Sequence, residues 1–116
     1  MGERAHIVKV GNACNDLDCG DFNNRSYEVL LLLHKHNVCF SIDKVGRGGR
    51  ITQWKIDGTD GLDALIANLE ESPDELDECF MEDDDDGYKN INIAHVFRKW
   101  VKHCDEKDNV IRINWS

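Results

Sequence analysis

The spacing of apolar positions changes near residue 58. Before it, apolar residues come in short runs bounded by Gly, Asn and Asp, the punctuation of strands and turns. His6 to Val10 alternates loosely and predicts a first strand, and the Gly-, Asn- and Asp-rich residues 11–25 predict a loop or irregular edge. Tyr27 to His34 holds four consecutive leucines, a run that fits a buried strand or a helix. Its context favours a strand. Val38 to Ile42 follows after the polar Lys35-His36-Asn37, a hairpin-length connection, and Gly46-Arg47-Gly48-Gly49 then makes a tight turn into a strand over Arg50 to Ile56. The first half reads as an antiparallel meander over residues 6–56.

After residue 58 the period is helical. Leu62, Leu65, Ile66 and Leu69 fall at i, i+3, i+4 and i+7, with Thr59 or Asp60 as the cap. Ser72-Pro73-Asp74-Glu75 has the form of a second helix start, and Leu76, Cys79 and Phe80 would be its apolar face. Ile93, Val96, Phe97, Trp100, Val101 and Cys104 make a third stripe, capped by Asn90 or Asn92. Val110 to Trp115 returns to alternation, with Ile111, Ile113 and Trp115 on one face, and predicts a closing strand. The expected architecture is one α+β domain over residues 1–116: the meander, an acidic helical part over 59–104, and a strand at 110–115.

Composition narrows the class. The chain has 116 residues, 41% of them hydrophobic and one of them proline. Its longest apolar run is the five residues Val29 to Leu33, well short of the ~18 that span a bilayer, so no membrane partner is expected. The start, MGERAHIVKV, lacks a signal-peptide stretch, and an intracellular protein is expected. The net charge of −9 is unevenly spread: residues 1–58 carry eight Lys/Arg against seven Asp/Glu, residues 59–116 six against sixteen. The second half therefore repels nucleic acid within a Debye length of about 10 Å, while the first half does not.

Several residue groups invite chemistry without completing it. Cys14, Cys19, His34, His36, Cys39, His103 and Cys104 are soft ligands, but none of the cysteines forms the tight C-x2-C pair of structural zinc. Reduced, scattered thiols and no metal are expected. Glu82, Asp84 and Asp86 with Gly87 fit the first half of a calcium loop, but its twelfth position falls on Ile93. Gly46-Arg47-Gly48-Gly49-Arg50 lacks the Gly-Lys-Ser/Thr ending of a phosphate loop. No Cys/His pair has the context of a nucleophile, and neither an enzyme, a cofactor nor a small-molecule substrate is expected.

One segment stands apart. Asp43 to Lys55 carries Lys44, Arg47, Arg50 and Lys55 against a single acid and includes Trp54. Arginines on a glycine turn suit phosphate or carboxylate oxygens, and an exposed Trp54 would suit stacking; the alternative is a tight hairpin whose Trp54 packs in the core.

Phe22-Asn23-Asn24-Arg25-Ser26-Tyr27, the apolar run after it, Ile42-Asp43-Lys44-Val45-Gly46-Arg47-Gly48-Gly49 and then Gln53 together resemble the WGR domain of DNA-dependent poly(ADP-ribose) polymerases over about residues 6–56. Val45 stands where that domain has its signature Trp, and Thr52 where it has the Gly of a Gly-Gln pair. The resemblance implies a non-catalytic regulatory module of the DNA damage response, nuclear more than cytoplasmic. Its parent would be an NAD-dependent ADP-ribosyltransferase. Arg47 would be its central fork, with Lys44, Arg50, Lys55 and Trp54 beside it, touching DNA ends weakly or neighbouring protein domains. The alternative class is a free-standing acidic domain, of the immunity-protein or nucleic-acid-mimic type, whose second half binds a basic partner.

Overall fold

A computed structural model describes residues 5–8, 17–18, 22, 24–80 and 88–115. It shows an α+β fold: strands β1 (Ala5–Val8), β2 (Leu17–Asp18), β3 (Phe40–Val45), β4 (Ile51–Asp57) and β5 (Val110–Trp115), and helices α1 (Ser26–Lys35), α2 (Asp60–Glu71) and α3 (Asn90–Lys102). The strands form one antiparallel sheet in the order β2-β1-β5-β4-β3.

The meander is not what forms. Only β3 and β4 make the expected hairpin, and β5 enters the middle of the sheet between β1 and β4. Burial explains the placement. Ile111, Ile113 and Trp115 of β5 are all 3% exposed or less, whereas four successive residues of β3, Ser41 to Lys44, are exposed. The strand with the complete apolar face takes the centre, where neighbours on both sides shield it, and the polar strand takes an edge. The first strand is described over Ala5–Val8, with Lys9 and Val10 outside the described residues, and the segment expected as a loop over 11–25 holds β2 at Leu17–Asp18.

The larger correction concerns Tyr27 to His34, which is helical within α1. Val29, Leu32 and Leu33 are fully buried while Leu31 is exposed, the i, i+3, i+4 pattern of one helix face, where a strand would bury alternate residues. Leucine favours helix, and Glu28 in the first turn with His34 and Lys35 in the last suit the helix dipole. The polar segment read as a hairpin turn is the helix stop. Asn37, at φ 57°, donates its N–H to the His34 carbonyl, and Val38 donates to Leu33, both within 3.1 Å. This paired arrangement closes a helix on a left-handed residue.

The helix expected from Ser72 onwards is a turn followed by a single 3-10 turn over Glu78–Phe80. The carbonyls of Pro73 and Glu75, which a helix would need for itself, accept instead from the N–H groups of Ile91 and Asn90 at 3.1 and 2.8 Å. Those bonds satisfy the unpaired donors at the start of α3. Neither α2 nor α3 has a side-chain cap: Thr59 and Lys89 hold the cap positions, and the buried Asn90 instead donates from Nδ2 to the Ser72 carbonyl at 2.9 Å. The expected stripes of both helices are buried, through Leu62, Leu65, Ile66 and Leu69 of α2 and Ile93, Val96, Phe97 and Trp100 of α3.

The core lies on one face of the sheet, where Ala5, Ile7, Trp54, Ile56, Ile111, Ile113 and Trp115 meet the helices. The opposite face carries His6, Asn114, Gln53 and Asp43 in one cross-strand row and Arg112, Lys55 and Ser41 in the next.

Asp77 ties the 3-10 turn to α1. Its Oδ1 accepts from the Cys79 N–H at 3.0 Å and its Oδ2 from Lys35 Nζ at 3.1 Å. Burial pushes the Asp77 carboxyl up, but the Cys79 N–H and the Lys35 ammonium together outweigh it and hold the group below its ordinary 3.8. A carboxyl lowered on folding stabilises fully above its unfolded pKa, and the contribution is lost as pH falls through the folded value. Asp77→Ala is therefore expected to cost about 1–2 kcal/mol at neutral pH, discounted for the partly exposed Lys35. Chemical unfolding of both proteins at pH 7 and about pH 2 should show the gap narrowing on acidification.

Candidate binding surface

The basic segment is the β3–β4 hairpin. Phe40 faces Ile56, Ile42 faces Trp54 and Lys44 faces Thr52 across the pair. The Asp57 N–H donates to the Cys39 carbonyl at 3.0 Å, which fixes the phase of the ladder. Antiparallel pairs alternate between bonded and non-bonded. Cys39, Ser41, Asp43 and Val45 therefore direct their backbone groups to β4, and Phe40, Ile42 and Lys44 direct theirs outward from the sheet.

The turn over 46–50 needs its glycines. Gly46 sits at φ 81°, ψ 177°, a region essentially closed to other residues, and a Cβ there would lie 3.0 Å from Ile51 Cδ1. Gly48, at φ 73°, follows within a 3-10 turn over Arg47–Gly49, and the Gly49 N–H donates to the Gly46 carbonyl at 3.1 Å. This holds Arg47 and Arg50 exposed at the tip.

Of the described arginines, Arg25 lies 5.3 Å over the Tyr88 ring, Arg98 pairs with Glu70 and Arg112 with Asp108. Arg47 and Arg50 pair with no acid among the described residues. Lys44 joins them at the end of β3, donating from Nζ to Thr52 Oγ1 at 2.7 Å. Lys55 does not: it points to the opposite face of the sheet and pairs with Asp43 at 3.0 Å. Of the residues expected to form the surface, Lys44, Arg47 and Arg50 come together and Lys55 is separated.

Trp54 is corrected more sharply. It is 3% exposed, with ring centroids 5.7 Å from Phe40 and 4.9 Å from Trp115, and it cannot offer a face to a base. Position 54 faces the core because its neighbours across both ladders, Ile42 and Ile113, lie on that side. Gln53, one residue earlier, faces the other way and donates from Nε2 to Asn114 Oδ1 at 2.8 Å, a bond within the sheet.

Beside the hairpin lies a cleft of about 230 Å³ lined by Ser26, Tyr27, Leu30, Ile42, Thr52, Trp54 and Trp115. Tyr27 and Ile42 are 65% and 47% exposed, and Leu31, one helical turn beyond Tyr27, is also exposed. Trp115 is buried and its Nε1 has no hydrogen-bond partner. The residues of α1 that line this cleft are invisible when Tyr27 to His34 is read as a strand, and the unbroken apolar run Val29 to Leu33 offers no spacing in the sequence to reveal them.

Two of the described thiols are held away from the thiolate. Burial, then the hydrogen bond and charge of Asp77, push the Cys79 thiol up to about 11, and burial and two aspartates raise Cys104. A catalytic thiolate needs the reverse shift. His34 is exposed with its ring against Phe40, and burial lowers the pKa of His36. Among the described residues no three His, Cys, Asp or Glu converge as metal ligands. Cys14, Cys19 and the acidic Glu82 to Asp86 lie outside the described residues. No described helix is long and apolar enough to cross a membrane. Comparison with protein-family models, with curated proteins and with solved structures found no match.

The turn geometry carries a stability prediction. Gly46→Ala should destabilise the domain by roughly 1–3 kcal/mol, since it forces a side chain into a glycine-only conformation against Ile51. Arg47→Ala, at an exposed position, should stay within about 0.5 kcal/mol. Parallel denaturant titrations of the two variants check the contrast.

Proposed function

We propose that the chain is a non-catalytic, WGR-like regulatory module that docks onto an acidic surface of a protein partner through the tip of the β3–β4 hairpin. The observation that carries this reading is the pair Arg47 and Arg50, exposed together and without an acid while the other described arginines are engaged. A glycine-defined turn fixes the backbone from which the two unpaired side chains project, and their guanidinium forks match carboxylate oxygens. The natural setting for such a module is a poly(ADP-ribose) polymerase-type protein, where the partner is a neighbouring domain.

A DNA end is the less favoured ligand. Trp54 is buried, and Val45 stands at the position of the family's stacking Trp, so the hairpin has cations and no aromatic platform. Stacking contributes about 1–3 kcal/mol per base where it is present, and a few phosphate contacts alone give weak, salt-sensitive binding. The rival reading, an acidic domain that binds a basic partner, draws on the exposed Asp60, Asp63 and Glu71 of α2. It leaves the hairpin cations without a role.

Photo-crosslinking separates these readings. A photoreactive side chain is placed at Arg50 or at Asp63, in cells that make the protein. The hairpin reading expects protease-sensitive, nuclease-resistant adducts from position 50, reduced when Arg47→Ala is added. With the captured partner purified, Arg47→Ala should weaken binding by about 1.5–3 kcal/mol if charged hydrogen bonds are lost. Adducts from position 63 alone would replace this reading with the acidic-face one, and nuclease-sensitive adducts from position 50 would make DNA the ligand.

A further inference from the structure

We propose that the free edge of β3 takes up an extended acidic segment of the partner protein as a sixth strand, with one apolar side chain of that segment seated in the cleft between α1 and β3. The inference rests on the hairpin reading above and names the form its partner takes.

Four observations converge. β3 is the last strand of the sheet, six residues long and without proline. Its outward N–H and C=O groups belong to Phe40, Ile42 and Lys44, by the phase that the Asp57–Cys39 bond sets. Such an edge is a template for another chain, and proteins that do not use one usually blunt it with proline, bulges or several charges. Of these, β3 has the charges of Asp43 and Lys44 alone, and Asp43 is neutralised by Lys55.

The second observation is that the middle one of the residues with outward backbone groups is also part of the cleft. Ile42 lines it directly, and Lys44 shares a cross-strand pair with the lining residue Thr52. A strand paired with this edge places alternate side chains on the same side of the sheet. There they would meet Tyr27 and Ile42, which are exposed large apolar residues of the described chain. Main-chain bonds would supply affinity and the cleft selectivity, the usual division in strand addition.

Thirdly, Lys44, Arg47 and Arg50 stand at the end of this edge, unopposed by acids among the described residues. A strand running past Lys44 meets them next, so its residues there are Asp or Glu. Fourthly, Trp115 lines the cleft wall beside Trp54, with their ring centroids 4.9 Å apart, an aromatic lining suited to one apolar side chain.

The test begins with the whole chain immobilised and a display library of random decapeptides. Enriched peptides should carry one large apolar residue with Asp or Glu on the side that reaches the hairpin tip. With a synthetic peptide of that sequence bound, amide exchange at Ile42 and Lys44 should slow by about tenfold or more, while Ser41 and Asp43, already bonded to β4, change little. N-methylation of alternate peptide residues, and Ile42→Lys in the protein, should each weaken binding by about tenfold or more, the loss of one or two backbone bonds or of the apolar contact. Ile42 is exposed, so a thermal melt verifies that the variant remains folded.

A library without enrichment overturns the proposal. So does binding indifferent to N-methylation and to Ile42→Lys. If such binding is still lost in Arg47→Ala, edge pairing fails and the hairpin-tip reading stands. If Ile42 and Lys44 become protected by peptides that bind Arg47→Ala/Arg50→Ala equally well, the acidic ligand and the tip reading fail.

Discussion

Ile111, Ile113 and Trp115 form the continuous apolar face of β5, and the sheet is organised by the need to bury it. Two of them have a partner on both sides, Ile113 between Ile7 and Trp54 and Trp115 between Ala5 and Thr52, and Ile111 faces Ile56 of β4. Burying a side chain of this size stabilises by roughly 1.5–3 kcal/mol, and only a central strand shields all three. Once the C-terminal strand occupies the centre, β4 must lie beside it, and β3, tied to β4 by a short turn, is pushed to the edge. The exposed edge and the exposed tip follow from that one placement.

The helices answer the same requirement. α2 and α3 leave β4 and return to β5, its neighbour in the sheet, so the acidic half folds as a connection between two adjacent strands. The acids of α2 lie on the solvent side because its leucines, like the aromatics of α3, are turned to the core; Phe97 and Trp100 contact each other and Phe22 with ring centroids within 5.7 Å. The carbonyls of Pro73 and Glu75 cap the start of α3, so the segment between the two helices is set by the packing it serves and not by its own helix-start signals.

What was legible in the residues divides along physical lines. The α+β class, α2, the stripe of α3 and β5 were readable because each is periodic over two turns or more, or alternates through its whole length. The leucine run was misread because its apolar residues are contiguous. In such a run periodicity shows only as which position is exposed, here Leu31, and exposure is a tertiary property. The helix start at Ser72 failed because the competing donors, the N–H groups of Asn90 and Ile91, lie fifteen or more residues beyond the carbonyls of Glu75 and Pro73 that they engage. The cations of the tip were legible from composition. Their separation from Lys55 was not, and the core packing of Trp54 stood as one of two open readings, because alternation in β4 fixes faces only when the side on which the core lies is known. The cleft was out of reach altogether, since two of its lining residues, Tyr27 and Leu30, belong to a helix read as a strand.

The charge distribution gives the proposed surface a particular character. An anionic segment approaching a protein of net charge −9 is repelled at long range, yet it meets Arg47, Arg50 and Lys44 at contact. The two effects respond differently to salt. Repulsion between whole molecules acts over about a Debye length and is screened readily, whereas contacts at a few ångströms are screened less, the more so when a docked strand excludes water from them. A ligand that engages only the arginines would need to overcome the field of the acidic half with surface ion pairs, each contributing about 1 kcal/mol or less. Adding main-chain bonds and one buried apolar side chain brings interactions that the field does not oppose. On the proposed binding mode, an acidic protein with a small basic tip would discriminate against simple polyanions, duplex DNA included, and would select for a chain that presents charge, backbone and an apolar anchor in the correct order.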